Sequence, residues 1–344
     1  MTVIPTTQRL LYEVGLDVVA GDRFQPTGFP DLGAAIFDRP LREDGSIRWE
    51  PALIVESAQS MANRLEAAAW DETRSEPVDT VGGLPYVRVV HAEDGAYLTS
   101  SRTEAHRLAS AFVKDATLDG RPMREVIRER LDLRDDRPVS ARQIAGAVFE
   151  LDPFCLIHGV FFAEPAGVWP GQPKIARAVT AFIEAVDVQR AESGGVKRDH
   201  VRHSMTEGTG GTAEGYGTIP FHRTEWTAAR LTLRLSLDRA QIRSYGLDDE
   251  RTDLLEAIGL WQLRALLEGG LRLRTACDLF PTSDTVADQS GAGLAPIKEL
   301  DQQIQSLVAS IGPREPLEVR WSPKQAKTRA ARRAEAETGE EASD

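Results

Sequence analysis

From Thr227 to Leu237 apolar and polar residues alternate strictly, which places Leu231, Leu233, Leu235 and Leu237 on one side of an extended chain. That period of two predicts a strand with one buried face. Residues 250–268 follow the helical period instead: Leu254, Leu255, Ile258, Trp261, Leu263, Leu266 and Leu267 make a broad stripe, ended by Gly269-Gly270. Residues 10–19 fit a first strand, and 51–56 a short buried one that passes into a helix over 57–70. Ser57 can cap that helix, and Met61, Leu65, Ala68 and Ala69 share its buried face. A hairpin is predicted for 85–90 and 96–98 across His91–Gly95, a charged helix for 121–133, a final helix for 296–311 and a closing strand for 317–321. The aromatic and β-branched run 154–162 predicts a central strand, and 175–188 fits either strand or helix. Residues 271–279 predict a strand with Arg272 and Arg274 on one face, and Ser101 with Glu104 has capping-box spacing before a helix. Strands and helices mixed in this way give the class α+β.

One stretch breaks the pattern. Gly194 to Trp226 is Gly-rich and polar, with Lys197, Arg198, His200, Arg202 and His203 at one end and Phe221, His222 and Arg223 at the other. So long an excursion between patterned segments predicts either a functional loop or a disordered one, and its charges suit an arm that grips nucleic acid. The 344 residues carry a net charge of −12, so a polyanionic partner would have to meet a local basic patch rather than a basic surface. The two cysteines, Cys155 and Cys277, each lie in an apolar run and are expected to be buried free thiols of a reducing compartment. The N-terminus has no signal-peptide pattern, and no apolar run approaches the about 18 residues that span a bilayer, so a cytoplasmic location is expected. The end of the chain, 323–344, splits into a basic and an acidic half without an apolar anchor and is expected to be disordered.

The candidate chemistry is that of gripping, not of catalysis. Ser57, Gln59, Ser60, Asn63 and Arg64 crowd one helix start, where free backbone amides and the dipole favour an anion. Arg23, Gln25 and Thr27 belong to a loop whose prolines and glycines forbid regular structure, and His106 and Arg107 follow the hydroxyl-rich turn. His158, alone in its apolar run, fits a hydrogen-bonded core histidine better than a ligand. His200 and His203 are the only close histidine pair and lack the rest of a zinc motif; Gly208–Gly211 is followed by no P-loop lysine; no nucleophile elbow is present. No metal, cofactor or catalytic residue is therefore expected.

Five segments together resemble a known family: 23–31, 55–66, 103–107, 219–225 and 270–279. They are similar to the backbone subunit of the type I-G (formerly I-U) CRISPR Cascade complex, the Cas-seven subunit of the RAMP superfamily. The resemblance implies an RRM-like, ferredoxin-type core over 1–322 with large insertions, among them a helical one at about 99–150 and a thumb-like arm at about 190–222. It implies a subunit that stacks with further copies of itself along crRNA beside other Cascade subunits, and leaves guide bases exposed to pair with target DNA. It also implies a subunit that is not the nuclease. Arg23, Gln25 and Thr27 would line the groove edge, the Ser57–Arg64 set would hold phosphates, and Lys197–His203 with Phe221–Arg223 would form or brace the thumb. The aromatic signature of RRM sheets is missing, so no base stacking on the sheet is expected. Two alternatives stand beside this one: a RAMP-type endonuclease of repeat RNA using His200 or His222 as general acid or base, and a protein-binding scaffold.

Overall fold

A computed structural model describes residues 4–29, 32–134, 136, 138–163, 169, 171–197 and 219–323. The first half holds β1 (Arg9–Val18), β2 (Ile36–Glu43), β3 (Ser46–Glu56), α1 (Ala58–Ala67), β4 (Val87–His91) and β5 (Tyr97–Ser100), then the helices α2 (Ala111–Asp115), α3 (Met123–Arg130), α4 (Ala141–Leu151) and α5 (Phe154–His158). The second holds the long pair β6 (Val179–Lys197) and β7 (Ile219–Asp238), then α6 (Arg239–Ser244), α7 (Asp249–Gly269), β8 (Leu271–Arg274), β9 (Cys277–Pro281), α8 (Ile297–Ile311) and β10 (Leu317–Trp321). The protein is α+β.

Seven strands form the main sheet in the order β8-β9-β1-β7-β6-β3-β2, with every neighbouring pair antiparallel. Four of them stand as β9-β1-β7-β6, with α1 lying in the chain between β1 and β6 and α7 between β7 and β9. That connectivity is the βαββαβ order of ferredoxin-like sheets. The alternation of β7 is what seats it there: Leu231, Leu233, Leu235 and Leu237 are buried opposite Ala185, Ile183, Ala181 and Val179 of β6. Helix α1 packs on β6 and against α7. Close approach of α7 requires Gly259, where a Cβ would lie 2.9 Å from the Leu237 side chain and 3.0 Å from that of Val179. In a second sheet, β10 runs parallel to β4, which is paired with β5.

Four sequence expectations are corrected. Residues 154–162 are not a central strand. Phe154–His158 is a helical turn, begun by Pro153 and by Asp152, whose Oδ1 accepts from the Phe154 amide at 3.0 Å. All five residues are buried, and a run that is apolar all round hides its period. Ser101 and Glu104 form no capping box: Ser101 Oγ donates to buried Asp152 at 2.5 Å, while Glu104 accepts from Thr99 and Ser110. Residues 271–279 are two strands, since Arg274 pairs with Cys277 across a tight turn. The 194–226 excursion is shorter than its composition suggests, because the β6–β7 ladder continues out to Lys197 opposite Ile219. Arg198, His200, Arg202 and His203 lie outside the described residues, as do residues 324–344 of the expected tail.

Of the hairpin of β2 and β3 the pattern gave only 51–56, the buried end of β3; charged residues on both of its faces and Pro40 on its outer strand mask the rest. Both cysteines are free and buried, as expected. Among the described residues, no helix is long and apolar enough to cross a membrane.

Candidate nucleic-acid interface

The end of β3 and the first turn of α1 form a hub around one carboxylate. Glu56 is 1% exposed and accepts hydrogen bonds from Ser60 Oγ, from Arg64 Nε at 2.8 Å and from Arg274. Arg64 also donates to the Leu273 carbonyl at 2.5 Å, and Arg274 to the carbonyls of Gln25 at 2.7 Å and Val55 at 3.2 Å. Ser57 Oγ caps α1 by accepting from the Ser60 amide. A buried carboxylate is tolerated only where such donors surround it. Of the helix-start set expected to hold phosphates, Ser57, Ser60 and Arg64 are turned onto the protein itself, and so is Arg274, one of the two strand arginines that could have been solvated or held phosphates.

Arg107 is corrected in the same way. Its guanidinium makes a two-pronged contact with Glu66 at 2.5 and 2.6 Å and donates to the Gly159 carbonyl at 3.1 Å, and the residue is only 6% exposed. Its backbone φ of 52° lies in the left-handed region, a strained choice for arginine that the buried pair holds in place. Burial pushes the Glu66 carboxyl up to about 7, against the pull of Arg107. Arg272 is exposed but sits by Arg64 and Leu271, apart from both clefts described next.

The remaining candidates divide between two clefts. The first, of about 710 Å³, lies between the 25–36 segment and the outer part of the β6–β7 ribbon. It gathers Gln25, Thr27, His222, Arg223 and one edge of Arg274 with Arg190, which the sequence reading had not singled out. The 25–36 segment is held by backbone bonds from Phe24 to Trp226 and from Thr27 to Val55, both 2.9 Å. Gly28 is required there, since a Cβ would fall 2.2 Å from the Gly33 carbonyl oxygen. Gly28→Ala is expected to force this short hairpin apart and cost about 1–3 kcal/mol, read as a lower urea midpoint; an unchanged midpoint would show that the segment yields freely.

Arg23 lies at the rim, ion-paired to Glu225 at 3.3 Å. Arg223 is 3.9 Å from the same carboxylate, and His222 Nε2 is 3.5 Å from Glu192. Phe221 is half exposed, with its ring laid across Gly195, where a Cβ would come within 3.1 Å. Lys197 ends β6 just beyond.

The second cleft, of about 1020 Å³, opens beside α1 and takes in Gln59, Asn63 and His106. Lys114, Lys174, Arg177 and Thr180 line it too, none of them found from the sequence. Lys174 and Arg177 carry no local signature; only the fold brings them to α1. His158 contributes to the floor. Gln262 donates through Nε2 to the Leu65 carbonyl, so its Oε1 must accept from His158 Nε2–H at 2.9 Å. Burial holds this histidine's pKa well below its ordinary value, so it is a neutral core residue, as its setting in the sequence implied. Among the described residues neither cleft has an Asp or Glu in its lining, in a chain whose net charge is −12. In the first cleft Arg190 and His222 meet Glu192 at 2.9 and 3.5 Å and Arg223 lies 3.9 Å from Glu225, so a phosphate there would compete with these exposed pairs; in the second no such pair engages Lys174 or Arg177 among the described residues.

Among solved structures, a chain of a "CRISPR RNA-guided surveillance complex, pre-nicking" is similar at 11% identity and a TM-score of 0.39, over 94% of this chain and 99% of that one. A likeness at that score carries no argument about fold or function. No curated protein matches the chain. The family model for CRISPR-associated protein GSU0053 matches residues 10–190, more than half of the sequence, from β1 through most of β6. The chain therefore belongs to the family of CRISPR-associated protein GSU0053, in agreement with the Cas-seven resemblance of its motifs.

Proposed function

We propose that this protein is a non-catalytic crRNA-binding backbone subunit of a CRISPR Cascade complex, which polymerises along the guide and leaves its bases free to pair with target DNA. The observation that carries this reading is the first cleft. Arg190, His222 and Arg223 line it with Gln25 and Thr27, while Arg274 is held by Glu56, and the carboxylates that the first three meet, Glu192 and Glu225, stand outside its lining among the described residues. Those groups suit a sugar-phosphate backbone and supply no nucleophile with an adjacent base. The arm at the end of β6 and β7, with Phe221 at its base, is assigned to bracing the RNA toward a neighbouring copy.

Arg190→Gln with Arg223→Gln tests the assignment. Removing two phosphate contacts is expected to weaken single-stranded RNA binding and to flatten the slope of log K against log salt by about 1.4, at roughly 0.7 for each contact. Filter binding across a salt titration reads both quantities. An affinity and slope equal to those of the unmodified protein would remove RNA from this cleft. Cleavage of repeat RNA by the purified protein would overturn the non-catalytic role.

A further inference from the structure

In the second cleft Lys174 and Arg177 have no carboxylate partner among the described residues. Arg107 spends its charge on Glu66, but no carboxylate among the described residues lies within ion-pair distance of Lys174 or Arg177. Arg177 Nη1 donates at 3.1 Å to the carbonyl of Ala58, in the first turn of α1. Its pKa is lowered by burial first and by the charge of Arg107 second, so keeping it charged costs free energy that a bound anion would return. Lys174 has its ammonium 5.9 Å from the Phe161 ring and is otherwise exposed. A second, independent sign lies in the floor. His158 is 1% exposed, and its Nδ1, left as a bare acceptor once Nε2 is bonded to Gln262, has no partner. Nδ1 can only accept, so it suits a hydroxyl donor such as a ribose 2′-OH and not a phosphate oxygen, which brings no proton.

The two clefts share a strand. Thr180 of β6 lines the second and Arg190 of β6 the first. Ten residues of strand separate them, or about 33 Å at roughly 3.3 Å per residue. The first turn of α1 is linked to both, since Arg274 of the first cleft shares Glu56 with Ser60 and Arg177 of the second binds the Ala58 carbonyl.

We propose that one single-stranded nucleic acid is held by each subunit at two points, with Lys174 and Arg177 binding phosphate in the second cleft while the same strand continues into the first. Gln59, Asn63 and Thr180 give the second cleft neutral hydrogen-bonding groups beside those charges. Two tethered contacts bind more tightly than either alone, because the second forms within the complex. A strand too short to reach across gains nothing from the pair. This inference rests on the RNA reading above and adds the second grip and its residues.

The test uses Lys174→Gln/Arg177→Gln, with Lys174→Gln alone as a milder variant at an exposed side chain. Thermal melting confirms that each is folded. Fluorescence anisotropy is measured with a single-stranded RNA long enough to span both clefts and with a dinucleotide, and inorganic phosphate is titrated separately against the melting temperature. The double variant is expected to bind the long RNA at least about tenfold more weakly at low salt, with a salt slope flatter by about 1.4. The dinucleotide is expected to occupy two sites on the unmodified protein and one on the variant. Long-RNA affinity and slope unchanged in the variant, with the unmodified protein binding RNA, would overturn the second grip and leave the first cleft standing. If the unmodified protein binds no RNA but phosphate raises its melting temperature, and the double variant loses that rise, the anion site survives while the RNA reading and the two-point grip both fall.

Discussion

Glu56→Ala is expected to cost about 3 kcal/mol of unfolding free energy, the low end of what removing one partner of a buried ion pair costs. The low end applies because Arg64 and Arg274 each keep a quarter or more of their side chains exposed and can recover some hydration. The loss extends beyond the pair. Arg274 bridges Glu56 to the carbonyls of Gln25 and Val55, and Arg64 bridges it to Leu273, so one carboxylate joins β3, α1, the 25–36 segment and β8. RNA affinity is expected to fall along with stability, since Gln25 and Thr27 stand on that segment. Glu56→Gln keeps one carbonyl acceptor and is expected to lose less. Urea unfolding of the three proteins measures this, and a loss below about 1 kcal/mol for alanine, the size of an exposed pair, would show that Glu56 organises nothing.

Glu66→Ala is expected to be the costliest single change, at about 3–5 kcal/mol, because it strands a buried guanidinium whose backbone is already in a strained region. This pair also sets a pH dependence. Burial raises the Glu66 carboxyl from 4.5 to about 7 in the folded protein. Between those values the folded state holds the proton more tightly than the unfolded chain, so the contribution of Glu66 to stability falls as pH rises through that window and is level outside it. Glu66→Gln has no proton to lose. The stability gap between wild type and Glu66→Gln is therefore expected to narrow from pH 4.5 to pH 7, with background titrations cancelling in the difference. A gap that widens over the same range would mean that Arg107, not burial, dominates the carboxyl.

Residue types were legible in the sequence where the argument needed only local periods. The alternation of Leu231–Leu237, the stripe on α7, the Ser57 cap and the β4–β5 hairpin all stand where the pattern put them. Motifs read in order along the chain pointed to the same family that the sequence model matches over residues 10–190. The site was less legible. Gln25, Thr27, His222 and Arg223 do meet in one cleft, and Gln59, Asn63 and His106 in another, yet nothing in their spacing says that there are two.

What the sequence determined by itself was the set of strands and helices with one clear buried face, the class α+β, and a supply of cations in an acidic chain. Which cations face outward was decided only by the tertiary structure. Arg64 meets Glu56 8 residues away, Arg107 meets Glu66 41 residues away, and Arg274 meets Glu56 218 residues away. Lys174 and Arg177, which look ordinary in the chain, lie just ahead of β6, stand beside α1 and have no carboxylate within ion-pair distance among the described residues. An arginine has the same charge in every context, but whether that charge is neutralised depends on which carboxylate the fold brings within about 4 Å, where an ion pair forms. Periodicity along the chain carries no information about that distance.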